Sequence, residues 1–139
     1  MRIFAPCRPA PITDLANAPA PSIDVAAVQA LLARCPAAAE TPLVESAPLA
    51  QAGGVGSVHV KDERGRMGLG SFKALGAAYV IARDAVAATP DRPEGALAGR
   101  TYAAASAGNH GLSVAAGARV FGARAVIFLA DTVPEAFAD

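Results

Sequence analysis

The sequence lacks the features that mark several large classes of protein. Its 139 residues contain 12 lysines and arginines and 12 aspartates and glutamates, so the formal net charge is zero. A nucleic-acid or membrane-surface partner requires a basic excess, and no apolar run approaches the roughly 20 residues of a transmembrane helix. The first residues, Met1 to Pro6, contain no continuous apolar core of the kind that signal peptides have. We therefore expect neither a nucleic-acid partner nor a membrane partner.

Cysteine and histidine are scarce as well. Cys7 and Cys35 are isolated, and neither belongs to a CxxC pair. Such cysteines are typical of free thiols in a reducing compartment, so we expect a cytoplasmic protein. His59 and His110 show no ligand spacing with the cysteines, and we expect no metal site.

Proline is concentrated at the N-terminus. Five prolines fall within residues 1–21, and because proline lacks an N–H group and fixes φ, this segment is predicted to be an extended arm. Ser22 is predicted to cap a helix that runs to about Arg34. We therefore divide the chain into residues 1–40, the arm and N-terminal helix, and residues 41–139, an α/β region.

Short apolar runs and helical patterns alternate through the second part. A short helix is predicted from Ser46 to the stop at Gly53-Gly54. Longer helices are predicted from Ser71 to about Ala88, with Leu75 and Tyr79 in the core, and from Asn109 to about Phe121. Strands are predicted over 58–60, 101–105 and 125–129, the last one fully buried. This order is the βαβ pattern, so the predicted fold class is α/β, an open parallel sheet with flanking helices.

The C-terminus opens a further helix. Thr132-Val133-Pro134-Glu135 fits a capping box, with Pro134 suited to the first turn. Only about one helical turn of sequence follows. Because a domain rarely ends by opening a helix, we expect the chain to be part of a longer protein.

Lys73 lies in the first turn of a predicted helix, where the positive end of the helix dipole disfavours a cation. The neighbouring Phe72, Ala74 and Leu75 are apolar. A desolvated amine in such a place can act as a nucleophile and form a Schiff base. The alternative is an ordinary lysine whose ammonium group reaches the solvent. A P-loop is excluded, because Ser71 stands where its lysine belongs.

Ser106-Ala107-Gly108-Asn109 ends a predicted strand and opens the next helix. Free backbone N–H groups at such a turn can bind a carboxylate. Ser106 adds a hydroxyl, Gly108 lets a ligand approach the backbone closely, and Asn109 can donate to a phenolic oxygen. The alternative is an ordinary N-cap turn. This turn and Lys73 are about one βα unit apart, so we expect both at the edge of a parallel sheet where ligands bind.

Four segments occur in an order that resembles the fold-type II pyridoxal-phosphate-dependent enzymes, which include threonine and serine dehydratases. They are Thr41-Pro42-Leu43, Lys61-Asp62-Glu63, Gly70-Ser71-Phe72-Lys73 and Ser106-Ala107-Gly108-Asn109-His110-Gly111. The similarity extends from about Thr41 to Asp139. Within the family, the run from Lys61 to Tyr79 is most similar to diaminopropionate ammonia-lyases.

The resemblance implies pyridoxal 5′-phosphate as cofactor and assigns roles to six residues. Lys73 is expected to form the Schiff base with the cofactor and, once free, to remove the α-proton of the substrate. Asn109 is expected to bind the ring hydroxyl, with Phe72 packed beside the ring. The expected carboxylate site is formed by Ser106, Ala107 and Gly108. By contrast, Lys61, Asp62, Glu63 and Arg66 are interpreted as a structural charge cluster, and His110 as a capping or packing residue.

The resemblance further implies a homodimeric lyase that removes the β-substituent of 2,3-diaminopropionate and releases a 2-oxo acid and ammonia. One position departs from this subfamily: diaminopropionate ammonia-lyase has an aspartate where this chain has Ala107, as the threonine dehydratases do. Threonine or serine dehydratase therefore stays an alternative, as does a non-catalytic α/β domain that binds carboxylates. In the family, the glycine-rich phosphate loop lies beyond the part of the sequence that these 139 residues resemble. We therefore expect these 139 residues to be inactive alone.

Overall fold

The computed structural model describes residue 20 and residues 22–134, so the predicted arm and Glu135 of the predicted capping box lie outside the described residues. The elements are α1 (Val25–Ala33), β1 (Leu43–Glu45), α2 (Ala47–Gly53), β2 (His59–Lys61), α3 (Ala77–Ala88), β3 (Thr101–Ala105), α4 (Asn109–Val120) and β4 (Arg124–Phe128). Two short 3₁₀ turns, Arg66–Gly68 and Phe72–Leu75, lie between β2 and α3, and we call the second one the Lys73 turn. Within the described part, no helix combines the length and apolarity needed to cross a membrane.

The strands form two separate pairs. β3 and β4 run parallel, with Thr101 opposite Arg124, and α4 is the crossover between them. β1 and β2 run antiparallel, with Leu43 opposite Lys61. The α/β class is confirmed, but the strand predicted at 58–60 pairs with β1 and does not join the parallel sheet. β1 itself was not predicted, because a strand of three residues is too short to show a periodic pattern.

The long helix predicted from Ser71 is interrupted at Gly76. Ser71 does cap the chain, since its Oγ accepts a hydrogen bond from the Lys73 N–H at 3.2 Å. The Lys73 carbonyl then accepts from the Gly76 N–H at 3.1 Å, which closes a 3₁₀ turn. Gly76 has φ −97° and ψ −88°, outside the helical region, and α3 begins only at Ala77. Glycine takes such a conformation at little steric cost, so the break falls there.

The first two helices are capped partly as predicted. Asp24, and not Ser22, is the N-cap of α1, because its side chain accepts from the Ala27 N–H at 3.0 Å. Ser46 occupies the N-cap position of α2 without a capping hydrogen bond of its side chain. Gly54 ends that helix in the left-handed region at φ 62°, as the paired glycines predicted.

The core lies between α3, α4 and the parallel pair. Its buried members are Ile81, Ala85, Leu97 and Val114. The predicted core positions Leu75 and Tyr79 are exposed and half-buried, and β4 is at most half-buried along its length. Complete burial of a parallel strand needs a layer on each face, and α4 and α3, the described helices that contact this pair, leave β4 partly exposed.

Two contacts fix α3 to its neighbours. A Cβ atom on Gly117 of α4 would lie 3.1 Å from both Ala78 Cα and Ile81 Cδ1, so a side chain there would crowd the contact between the two helices. The Tyr102 hydroxyl of β3 donates to Asp84 Oδ2 of α3 at 2.9 Å. Burial, followed by this hydrogen bond, raises the pKa of Tyr102. These contacts hold α3, α4 and β3 in a fixed arrangement.

Candidate active site

A tightly curved loop leads from β2 to the Lys73 turn. Met67, Gly68 and Gly70 all have positive φ, of 50°, 69° and 70°. Glycine adopts this region freely, whereas a methionine does so rarely. The curvature brings the chain to Ser71, whose side chain caps the Lys73 turn.

A network of hydrogen bonds, which we call the loop anchor (Thr41, Lys61, Glu63 and Arg66), fixes this loop to the segment before β1. The buried Thr41 hydroxyl donates to Glu63 Oε1 at 2.5 Å, and Arg66 Nε donates to Glu63 Oε2 at 2.7 Å. Arg66 also donates to the carbonyl of Ala39 at 2.8 Å, and Lys61 Nζ donates to the Thr41 carbonyl. The Arg66 guanidinium, and then the Thr41 hydroxyl, lower the pKa of Glu63 to about 2. The interpretation as a structural charge cluster is confirmed for these residues.

Asp62, the remaining member of the predicted cluster, pairs with a different arginine. Its carboxylate accepts from Arg64 Nε at 2.9 Å and from Arg64 Nη2 at 2.7 Å. Hydrogen bonds from the Arg64 side chain and backbone lower the pKa of Asp62 to about 2. Asp62 and Glu63 are therefore ionised at neutral pH, and each already pairs with an arginine of this loop.

The Lys73 side chain is exposed in the described chain, and its Nζ lies 5.0 Å from the centroid of the exposed Phe72 ring. Of the two interpretations of Lys73 taken by itself, a desolvated amine and a lysine whose ammonium group reaches the solvent, the described residues match the second. The reason is the geometry of the 3₁₀ turn, in which Ala74 is buried and Phe72, Lys73 and Leu75 face outward. The amine is consequently open to a ligand that approaches the turn.

The turn before α4 connects the end of β3 to the start of the helix, as predicted. Gly108 is the N-cap of α4, and its N–H group donates to Ser106 Oγ at 3.3 Å. The first N–H groups of a helix have no acceptor within the helix and can bind an anion. A Cβ on Gly108 would meet nothing within 4 Å, so packing does not require a glycine there. At Gly111 a Cβ would lie 2.4 Å from the Ser106 carbonyl oxygen, so packing requires a glycine at this position.

One cavity of about 560 Å³ joins the two segments, since Gly70, Ser71, Phe72 and Asn109 all lie on its wall. Lys73 follows Phe72 directly, whereas the expected carboxylate residues Ser106, Ala107 and Gly108 precede Asn109 and do not line the cavity. The prediction that both segments follow strands of one parallel sheet is wrong, because β2 pairs with β1. Packing of the Lys73 turn on α4 brings them together.

Residues 35–139 match the family described as pyridoxal-phosphate dependent enzyme. The chain belongs to this family. The match covers the loop anchor, the Lys73 turn and the turn before α4. It confirms the resemblance that the four segments indicated, and with it the cofactor of the family.

Individual family members are also similar to this chain. It is 34% identical to diaminopropionate ammonia-lyase of Salmonella typhimurium in an alignment of 110 positions that covers 69% of this chain and 27% of the relative. It is 38% identical to the Escherichia coli K12 diaminopropionate ammonia-lyase in an alignment of 98 positions that covers 64% of this chain and 25% of the relative. The chain thus spans about a quarter of the length of these curated relatives.

Solved structures agree with this assignment. The E. coli diaminopropionate ammonia-lyase in complex with an aminoacrylate-PLP azomethine intermediate has a TM-score of 0.63 and 33% identity, over 79% of this chain and 30% of that one. The selenomethionine-incorporated holo form of the E. coli enzyme has a TM-score of 0.67 and 30% identity, over 79% and 31% of the two chains. The predicted fold class is confirmed by both.

The residues present fit the cofactor of this family. The aromatic ring of Phe72 and the side-chain amide of Asn109 line the cavity, and the exposed amine of Lys73 lies 5.0 Å from the centroid of the Phe72 ring. These groups can bind an aldehyde, flank a planar ring and hydrogen-bond a phenolic oxygen.

The sequence pattern did not identify Ser113, although it contacts the Lys73 turn. Its fully buried hydroxyl donates to the Lys73 carbonyl at 2.9 Å. A signal was available, because Asn109, Ser113 and Gly117 recur at intervals of four and lie along one face of α4. Small residues at that spacing indicate close approach of another element.

Proposed function

We propose that the protein is a pyridoxal-phosphate-dependent ammonia-lyase that acts on 2,3-diaminopropionate. The proposal is carried by the cavity that Phe72, next to Lys73, and Asn109 share in a member of this family. The names of the relatives at 34% and 38% identity support the choice of substrate.

The cofactor would be held by three side chains. Lys73 would supply the amine for its aldehyde, Phe72 would pack beside the ring, and the Asn109 amide would donate to the ring hydroxyl. When bound, pyridoxal phosphate supplies a conjugated ring that accepts the electron pair left at the substrate α-carbon.

The substrate would be bound through its carboxylate and deprotonated by Lys73. Backbone N–H groups between Ser106 and Asn109 bind the carboxylate at the positive end of α4. As a free amine, Lys73 Nζ takes the proton from the α-carbon, and the bond from the β-carbon to nitrogen breaks. With one water molecule consumed, 2,3-diaminopropionate gives pyruvate and two molecules of ammonia.

Ala107 supports a second candidate, a threonine or serine dehydratase. Its methyl side chain offers no group that could move a proton at the turn before α4. Lys73 would then remove the proton from one face of the α-carbon. We therefore expect only one enantiomer of a substrate to react.

The test, made on the protein as its gene encodes it, is a substrate panel of D- and L-2,3-diaminopropionate, threonine and serine, with 2-oxo acid and ammonia measured separately. We expect turnover of one enantiomer of 2,3-diaminopropionate and two ammonia molecules per 2-oxo acid. We also expect Lys73→Ala to reduce the rate by more than about 100-fold, with Arg92→Ala, which removes an exposed cation outside the cavity, as the control. Preferred turnover of threonine or serine, with one ammonia molecule each, would establish the second candidate instead.

We further propose a cytoplasmic homodimer. The free thiol of Cys35 supports a reducing compartment. The exposed apolar side chains of Leu112, Val120 and Phe128 support a covering partner surface. Light scattering of the purified protein would give twice the chain mass, and a single chain mass would contradict the dimer.

A further inference from the structure

Ser113 connects two backbone segments that follow each other closely in the chain. It lies on α4 with its side chain fully buried. Its hydroxyl donates to the Lys73 carbonyl oxygen at 2.9 Å and accepts from the Ala78 N–H group at 3.1 Å. One side chain of α4 therefore contacts both the Lys73 turn and the first turn of α3.

The chain between these two contacts contains the break at Gly76. Gly76 is the N-cap residue of α3 and has no side chain that could cap the helix. Ser113 supplies this cap from another helix, and the same hydroxyl holds the carbonyl that closes the Lys73 turn. Because the site is buried, water cannot replace these bonds when the hydroxyl is removed.

α4 approaches closely enough for this contact because Gly117 leaves room for the Ala78 backbone. The same helix begins at Asn109, on the wall of the cavity. A rigid helix of 12 residues thus carries both Asn109 and the hydroxyl that holds the Lys73 turn.

We infer that Ser113 is a positioning residue, which sets the place of the Lys73 amine relative to Asn109 by fixing the Lys73 turn to α4. The inference rests on the proposed function. Ser113 does not line the cavity and acts on the reaction only through the Lys73 backbone.

Competitive labelling of two lysines tests this inference. The protein as its gene encodes it is mixed with pyridoxal 5′-phosphate, reduced with borohydride at short times, and digested for mass spectrometry. Initial rates are measured for the peptides that contain Lys73 and Lys61, which are the two lysines of the 139 residues. Lys61 also lines the cavity, but its amine is engaged by the Thr41 carbonyl in the loop anchor, so it serves as an internal reference in the same sample.

We expect Ser113→Ala to lower the ratio of Lys73 to Lys61 labelling by about 5- to 10-fold, the effect of one lost hydrogen bond. Ser113→Thr keeps the hydroxyl and is expected to retain the ratio, even though its added methyl group lowers stability. Val114→Ala is the matched control, because it opens the core beside Ser113 without removing either bond. If Ser113→Ala does not fold, Ser113→Cys replaces it, with similar volume and a weaker donor.

The outcomes separate the inference from the proposed function. A wild-type protein that labels Lys73 no faster than Lys61 would contradict the proposed function. A wild-type preference for Lys73 that Ser113→Ala leaves unchanged would overturn the inference alone. A ratio that follows thermal stability across all variants, with Val114→Ala as low as Ser113→Ala, would assign Ser113 a merely structural role.

Discussion

At the scale of single residues, the chemistry of the site depends on a few side chains that other residues hold in place. Lys73 is exposed, and its turn is held by the Ser71 cap on one side and by Ser113 on the other. Glu63 has a comparable role for the preceding loop, since it binds Thr41 and Arg66 together. The reactive amine is therefore free to move at its tip, while its backbone is fixed.

The loop anchor makes a prediction about acid stability. The pKa of Glu63 is lowered from 4.5 to about 2, so its ionised form stabilises the folded protein. This contribution is complete above a pH of about 4.5 and is lost as the pH falls towards 2. We expect Glu63→Gln to melt at a lower temperature than wild type at neutral pH. We also expect its melting temperature to fall less than that of wild type on acidification.

Thermal melting across this pH window checks the prediction. Glu94→Gln, a carboxylate outside the loop anchor, is the matched control and should follow the wild-type curve. Parallel curves for Glu63→Gln and wild type would show that the loop anchor contributes nothing to acid sensitivity.

At the scale of elements, local signals predicted well and contacts between distant residues did not. The Ser71 cap and the end of α4 before Gly122 depend on neighbouring residues, and both were predicted. The break at Gly76 was missed because its capping hydroxyl comes from Ser113, on another helix. The exposure of Leu75 was missed for a related reason, since it follows from which side of the Lys73 turn α4 covers.

Substitutions of two glycines at the start of α4 are expected to affect stability and substrate binding differently. A methyl group at Gly111 would meet the Ser106 carbonyl oxygen at 2.4 Å, so Gly111→Ala should destabilise the protein by about 1–3 kcal/mol. A methyl group at Gly108 meets no atom of the described chain, so Gly108→Ala should cost only the lower N-cap preference of alanine, about 0.5 kcal/mol. On the proposed function, Gly108→Ala should nevertheless raise KM about tenfold by weakening the carboxylate contact.

Urea denaturation and substrate kinetics on the two variants check this pair. Equal stability losses for Gly108→Ala and Gly111→Ala would contradict the packing described for this turn. An unchanged KM for Gly108→Ala would remove Gly108 from the carboxylate site.

At the scale of the whole molecule, the described residues pack around a core that joins α3, α4 and the parallel pair. The cavity beside Phe72 and Asn109 opens on the surface. The α/β class and the family could be predicted because strand and helix patterns and four ordered motifs are local properties of the sequence. The pairing of β1 with β2 could not, because strands of three residues acquire their partners only in the folded chain.

The central claim is that Lys73 is the residue that binds pyridoxal phosphate. The most direct measurement reduces the cofactor-loaded protein with borohydride and maps the pyridoxyl group by peptide mass spectrometry. We predict a stoichiometric modification at Lys73, its loss in Lys73→Arg, and no compensating modification at Lys61. A pyridoxyl group distributed equally over Lys61 and Lys73, or one that persists at another residue in Lys73→Arg, would contradict the account.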